Sequence, residues 1–550
     1  MSQTFDVIVI GGGCNGTGIA RDAALRGLKV LLIEKNDFAA GATGASSGMI
    51  HGGPRYLLYE VGTTKLACKD AGYIKNIAPH LCFRIPFILP VLKKRSPQWL
   101  SAIYLELVET FFEVYDRFSH YKKGKPHTRL SRQELLQLEP SLSPDVTGAV
   151  TFDEWGIDTH RLCVANALSA FEAGAEIRNH SQVVGLLREE NLILGVKVRH
   201  LVTLEEEELR AKIVFNAAGP WASGLAEMAG CIVKLRPSKG IHLVIDRRLT
   251  NMAIVARAVD GRQIFIEPHE NTTIIGTTDD DYYGDLDDIP ITEDEIEYLY
   301  QGIEAVVPDI REARIVTTWR GIRPTLYDED RYENELSRSH RVYDHEMLDG
   351  VKGFLSIAGG KLASYREMSE EATDLVCKKL AVKGECQTHL LPLPGGEDVP
   401  DPQALAAAFG LYPYIVARLV YRHGHRARHI LDLTRVDPGN KEIVCSCEPV
   451  IAAELRYCIR HEWAITLMDL MRRTRLAAGS CQGSCCAMRA GIILGQELQL
   501  QPHEVYKQVK DFLNELWKAR APILGGFQLA EEEMHHGIFM GAGGLDQVGV

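Results

Sequence analysis

Nothing in this sequence approaches the roughly 20 consecutive apolar residues of a membrane-spanning helix, so no such helix is expected. Basic excess is lacking too: 61 Lys and Arg stand against 73 Asp and Glu, the net charge is −12, and no basic run is long enough to track a phosphate backbone. Nucleic acid is excluded as a partner on that ground. The opening "MSQTFDVIVIGGG" has no basic start, apolar stretch and small-residue cleavage site, which argues against secretion. The 13 cysteines, odd in number and scattered, do not resemble a secreted disulfide framework, and a reducing cytoplasm suits them. With 46% hydrophobic residues across 550 positions, the chain is long enough for two to four packed domains.

What is present begins at residue 5. "FDVIVI" is a β-branched apolar run, followed by "GGGCNGTGIARDAALRGL" and a second run, "KVLLIE". The order is strand, glycine turn, helix, strand. Gly11, Gly13 and Gly16 fit Gly-x-Gly-x-x-Gly: the first permits the turn, the second admits a pyrophosphate, and the third lets helix and strand pack closely. The helix N-terminus then faces the phosphates with unpaired N–H groups, and Glu34 closes the second strand where a carboxylate accepts from both ribose hydroxyls. A further strand, "KIVFNAAGPWA" (212–222), and a glycine turn in "GFLSIAGGKLASYREM" (353–368) lead toward the same ligand. No second Gly-x-Gly-x-x-Gly unit for a separate NAD domain is present, so a flavin reduced directly by substrate is expected.

"GATGASSGMIHGGPRYL" (41–57), "GIRP" (321–324) and "GGKLASYR" (359–366) resemble the signature segments of FAD-dependent glycerol-3-phosphate dehydrogenases. The likeness runs from the N-terminus to about residue 395 in matching order, and the cysteines near the end narrow it to the large subunit of the anaerobic, multi-subunit type. "HGGPRYL" is closer to the single-subunit aerobic members. The resemblance implies an α/β, Rossmann-like FAD-binding fold of the D-amino-acid oxidase type with a mixed-sheet substrate domain. It implies oxidation of sn-glycerol 3-phosphate to dihydroxyacetone phosphate, with hydride passing to flavin N5. FAD would be held by Gly11, Gly13, Gly16, Glu34 and Lys35, by Thr43, Ser46 and Ser47, and by Gly219, Gly359, Gly360, Lys361 and Leu362, with Lys361 at the pyrimidine edge.

A phosphate-bearing substrate calls for arginine forks, and Arg55 and Arg323 lie in the matching segments, Arg323 in what reads as a constrained turn between Gly321 and Pro324. His51 and His242 are the candidate bases, since an imidazole suits proton abstraction near neutral pH. The run Asp279-Asp280-Asp281 reads as a solvated turn.

Five cysteines crowd "VCSCEPV" (444–450) and "GSCQGSCCAM" (479–488). Four thiolates bind zinc or an iron–sulfur cluster, and Cys-x-Cys with a distant Cys-x4-Cys departs from the Cys-x2-Cys habit of zinc sites. The pattern resembles the small helical [2Fe-2S] domain of bacterioferritin-associated ferredoxin. Cys445, Cys447 and Cys481 are then ligands, and the spacing in the resembling flavoprotein-fused domains selects Cys486 over Cys485 as the fourth. Between the pairs, "AAELRYCIRHEWAITLMDLMRRT" reads as a helix and a half.

The expected organisation is an oxidoreductase over 1–395, with substrate-domain insertions near 85–150 and 235–340. A linker and short helical cap (396–440), the [2Fe-2S] domain (441–495) and a helical tail (496–550) follow. Residues 85–115, with Lys93-Lys94-Arg95 and Trp99, read as strand, turn and amphipathic helix, a composition that also suits a membrane surface. Partner electron-transfer subunits, a quinone and a peripheral place on the inner membrane face are what the resemblance implies. An amino-acid or 2-hydroxy-acid dehydrogenase on the same fold is the enzymatic alternative, and an iron–sulfur redox sensor the non-enzymatic one.

Overall fold

The computed structural model describes residues 4–54, 57, 61–93, 98–327 and 339–547. "FDVIVI" forms the strand Thr4–Ile10, which pairs in parallel with Val30–Ile33 on one side and Glu206–Asn216 on the other. Its near-continuous burial is what a central parallel strand covered on both faces requires. The sheet runs His340–Asp344, Phe354–Gly359, Glu206–Asn216, Thr4–Ile10, Val30–Ile33, Glu176–Arg178, parallel after its first strand, and the antiparallel pair Ser181–Glu189 and Leu192–His200 joins it at the start of Glu206–Asn216. Helices Cys14–Leu25, Thr159–Glu172 and Tyr365–Leu380 supply Ile19, Val164 and Val376 to the core on one face. The strand expected to begin at residue 212 begins at Glu206. Its charged start is held by a neighbouring strand, where Lys197 and Arg199 both pair with Glu206.

A second, mixed sheet holds Leu235–Ile245, Thr272–Gly276, Gln263–His269, Ala253–Arg257, Cys82–Leu92 and Val146–Ile157 in that order, with Ile315–Leu326 along the outer side of Leu235–Ile245. Helix Gln98–Ser119 packs Leu105, Val108, Phe112 and Tyr115 onto it. The same helix leaves Ile103, Tyr104, Leu107 and Val114 exposed. Lys94 and Arg95 lie outside the described residues. No helix among the described residues is long and apolar enough to cross a membrane.

Beyond residue 400 the chain is helical: Pro402–Phe409, Pro413–His423 and Ala427–Val436 share one small core. The segment expected as a helix and a half is two helices, Ala452–His461 and Leu467–Thr474. Trp463 in left-handed backbone breaks the first, and a capping box between Thr466 and Asp469 starts the second. Helix Pro502–Arg520 adds Val509, Phe512 and Leu516 to the core that contains Cys445 and Cys486.

Buried ion pairs bind this C-terminal region to the nucleotide end. Arg161 donates to both carboxylate oxygens of Glu462 at 2.6 and 3.0 Å, and Arg473 donates to those of Asp37 at 2.6 and 2.8 Å. All four side chains are buried, so removing one partner strands a charge out of water, at a cost of about 3–5 kcal/mol.

One buried carboxyl has no such partner. Glu267 is 1% exposed, and neither of its oxygens finds a hydrogen bond among the described residues. Burial pushes its pKa up to about 8. The unfolded group titrates near 4.3, so between those values the folded chain keeps a proton that the unfolded chain releases. Stability therefore falls with rising pH across that window, by about 1.4 kcal/mol per pH unit. Glu267→Gln is expected to leave Tm unchanged near pH 4.5 and to raise it by about 2–4 °C near pH 7.5. Equal Tm differences at both pH values would show that folding does not raise the Glu267 pKa.

Candidate active site and thiol cluster

The glycine turn is shaped by what surrounds it. Gly11 has φ +116°, and a Cβ there would sit 2.5 Å from the Ala217 carbonyl oxygen. A Cβ on Gly16 would strike the carbonyl of Gly11, so helix and strand close only over glycine. Gly13 caps the helix Cys14–Leu25 with no side-chain bond, which leaves that N-terminus open to a phosphate. Thr43 accepts from the Cys14 N–H at 3.2 Å, and Ser46 donates to the Thr43 carbonyl at 2.8 Å. Glu34 accepts from the N–H groups of Gly12 (2.6 Å) and Asn36 (2.8 Å), while loss of water pushes its carboxyl above the usual range. Lys35 lies over the Trp221 ring at 4.1 Å and pairs with Asp287.

A cavity of about 860 Å³ starts at this turn. Gly11, Gly13, Glu34, Lys35, Thr43, Ser46 and Ser47 line it, as do Gly219, Gly359, Gly360, Lys361 and Leu362 from the other strand ends. Gly16 stands behind the lining. His51, His242 and Arg323 reach the same cavity from the second sheet and its connections. Arg55 lies outside the described residues. Gly359 and Gly360 both have positive φ, +79° and +87°, and turn the chain from strand into the helix Tyr365–Leu380 beside Lys361.

His242 sits on Leu235–Ile245, 3% exposed, with Nε2 2.8 Å from Ser47 Oγ and no hydrogen bond to Nδ1 among the described residues. Burial, reinforced by Arg323, pushes its pKa down to about 3, so the ring is neutral at physiological pH. Gly276 lies opposite on the neighbouring strand, and any Cβ there would collide with the imidazole.

Arg323 is not in a turn. It belongs to the strand Ile315–Leu326 and faces Ser238 across the ladder. Pro324 is tolerated because, among the described residues, this strand pairs on one side only, so proline's missing N–H costs no ladder bond on the other. The guanidinium donates to Thr277 Oγ1 at 2.9 Å, to the Thr278 carbonyl at 3.1 Å and to Asp279 at 3.3 Å. A Cβ on Gly240 would sit 2.5 Å from its Nη2.

The acidic run also differs from expectation. Asp280 and Asp281 are exposed, but Asp279 lines the cavity, because the strand end turns it toward Arg323 and Arg236 instead of solvent. Arg257, Arg262, Thr277, Thr278 and Glu154 line the cavity as well and are absent from the sequence-derived set. "GTTDD" at the end of an apolar strand is the one signal that marks the two threonines.

The thiols form two pairs. Cys447 and Cys481 have their sulfurs 3.6 Å apart, close to the ~3.8 Å edge of a tetrahedron with metal–sulfur bonds of about 2.3 Å. Cys445 and Cys486 act on one another, the Cys445 thiol held down to about 6 and the Cys486 thiol pushed up. Among the described residues only Cys231, His345 and Asp349 bring three ligand atoms mutually within 4.8 Å, so no three of these sulfurs do. Cys486 is buried at the start of helix Ala487–Leu498, whereas Cys485 beside it is exposed. Gly479 leaves room for Cys447, whose Cβ a side chain there would hit. Arg475 connects the two regions, donating to Glu448 at 3.4 Å and lying 3.1 Å from His269 Nε2 on the second sheet.

A largely parallel sheet with a glycine turn at its switch point, joined to a mixed sheet that carries a buried histidine and an arginine, is the arrangement of a FAD-dependent oxidoreductase. Residues 6–366 match the family described as FAD dependent oxidoreductase, and residues 386–505 match the C-terminal domain of alpha-glycerophosphate oxidase. The chain is 35% identical over 548 residues to one of the subunits of the anaerobic glycerol-3-phosphate dehydrogenase of Escherichia coli (strain K12), covering 99% of this chain and 98% of that one. It is 32% identical to the aerobic glycerol-3-phosphate dehydrogenase of Bacillus subtilis (strain 168), over 86% of this chain and 87% of the other. The solved glycerol-3-phosphate dehydrogenase from Bacillus halodurans, complexed with FAD, superposes with a TM-score of 0.74 at 25% identity, covering 95% and 97% of the two chains. The chain belongs to the FAD-dependent glycerol-3-phosphate dehydrogenase family.

Proposed function

We propose that this chain oxidises sn-glycerol 3-phosphate to dihydroxyacetone phosphate as the flavin-bearing component of a multi-subunit dehydrogenase. The observation that carries the reading is the meeting of a neutral buried imidazole, a hydroxyl partner and an arginine fork in the cavity that begins at the nucleotide turn. The open helix N-terminus, the space left at Gly11 and the two-acceptor carboxylate of Glu34 fit FAD. Bound FAD supplies the acceptor for the hydride leaving C2. Arg323 holds the phosphate, and Thr277 and Asp279 fix its fork. Ser47 keeps the His242 ring turned toward the cavity, and the substrate hydroxyl replaces Ser47 at Nε2 as its proton moves there. Lys361 lends positive charge at the flavin's pyrimidine edge. His51 serves as a second polar wall.

Cys445, Cys447, Cys481 and Cys486 would hold a [2Fe-2S] cluster that passes electrons singly to partner subunits and a membrane quinone. Two separated sulfur pairs support a two-iron cluster over one tetrahedral zinc ion, whose four ligands would all lie within about 4 Å of one another. The proposed place is the cytoplasmic face of the membrane, held there by the partners.

Anaerobic titration with sn-glycerol 3-phosphate tests the substrate: stoichiometric bleaching of the flavin is expected, with none from glycine or lactate. Bleaching by the latter pair alone would move the protein to the amino-acid or hydroxy-acid class. In the same assay Arg323→Lys keeps the charge but loses the two-pronged geometry, and kcat/KM is expected to fall by at least ~10-fold, the worth of one charge-assisted hydrogen bond. Unchanged turnover with normal FAD content would remove Arg323 from the site.

A further inference from the structure

The cavity does not end at the base and the arginine. Across the second sheet His242 lies opposite Gly276, Gly276 opposite Phe265, and Phe265 opposite Val255, so one ladder row leads sideways away from the imidazole. Because Gly276 has no side chain, the His242 ring lies over it, toward the strand that carries Phe265. Beyond it apolar side chains gather, Phe265, Val255, Phe87 and Leu89 on the sheet and Val108 and Phe111 on helix Gln98–Ser119, with Glu154, Arg257 and Gln263 as the polar members of the lining. Leu107, 63% exposed, stands at the lip, beside Tyr104, whose hydroxyl accepts from Arg257 at 3.2 Å.

Each carbon of glycerol 3-phosphate bears an oxygen, so this molecule offers nothing for such a chamber to hold. A cationic clamp at one end and an apolar chamber at the other, with the base between them, match an amphiphile: phosphate, secondary hydroxyl, then hydrocarbon.

We propose, resting on the phosphate-substrate reading above, that the site also oxidises glycerol 3-phosphate carrying a single acyl or alkyl chain on its C1 oxygen. The phosphate lies at Arg323, the C2 hydroxyl at His242, and the chain in the apolar chamber. The ester or ether bond is untouched. The C2–H bond breaks with its electron pair passing to the flavin, the hydroxyl proton goes to His242, and the C2–O bond becomes the carbonyl of a 1-acyl or 1-alkyl dihydroxyacetone phosphate.

Each methylene taken out of water strengthens binding by up to about fourfold. The test measures anaerobic flavin reduction in the FAD-loaded full chain, with sn-glycerol 3-phosphate and its 1-acetyl, 1-butyryl, 1-hexanoyl and 1-octanoyl esters, all below micelle formation. The expected result is a kcat/KM that climbs at least ~10-fold from acetyl to octanoyl. In Phe111→Asp the octanoyl-to-acetyl ratio should collapse to near one, a readout that is indifferent to a general loss of activity. Reduction by unesterified substrate with none by the octanoyl ester, or a ratio unmoved by Phe111→Asp and Leu107→Asp, overturns the proposal. Reduction by neither substrate, with FAD bound, overturns the phosphate-substrate reading itself and this inference with it.

Discussion

His242→Asn slows reduction of the flavin by substrate about 10²–10⁴-fold, the usual worth of a positioned general base, while FAD stays bound and substrate still saturates the site. Asparagine keeps a polar group beside Ser47 but cannot take a proton. Stopped-flow absorbance under anaerobic conditions reads the step directly. The pH profile separates this role from a structural one. A histidine titrating near 6.5 would lose about 30-fold of its basic form by pH 5, but burial holds His242 near 3, so the wild-type rate is expected to stay level from pH 5 to 8. A loss centred near pH 6.5 would point instead to a solvated base and would favour His51.

Cys486→Ser is expected to lose the visible absorbance and most of the iron of the cluster with FAD retained, and Cys485→Ser to keep all three. The argument is positional. Cys486 is buried in the same core as Cys445, while its neighbour faces water. Iron and flavin are counted separately in the purified chain, so the readout does not depend on turnover. The opposite pattern would move the fourth ligand to Cys485, and zinc in place of iron would end the electron-transfer reading. Point substitution suits this test better than truncation after residue 440, because truncation would also remove Glu462 and Arg473 from Arg161 and Asp37.

The nucleotide turn was legible because its signal is local. Gly11, Gly13, Gly16 and Glu34 fall within one strand–helix–strand unit, and each is constrained by atoms close to it in the chain or on the adjoining strand. Arg323 was identified but misplaced: Gly and Pro on either side suggest a turn, and only the pairing of Ile315–Leu326 with Leu235–Ile245 reveals an edge strand. Asp279 was misread for the same reason, since its surroundings are arginines 43 and 44 positions away in sequence. Arg257 and Arg262 flank a hairpin like any surface pair, and nothing in their own neighbours marks them as lining a cavity. The two-helix break at Trp463 was missed because periodicity reports which face is apolar and not where the backbone turns.

The Arg473–Asp37 pair sets an order of events during synthesis. Asp37 follows directly on the cradle around Glu34 and Asn36, and the guanidinium that neutralises it lies 436 positions later. At typical elongation rates that separation is about 20–90 s of translation. Throughout that interval the nucleotide end has its strands and glycines but not the cation that fixes its loop. In a chain stalled before residue 472, Asp37 would lack both of the guanidinium groups that face it in the finished fold.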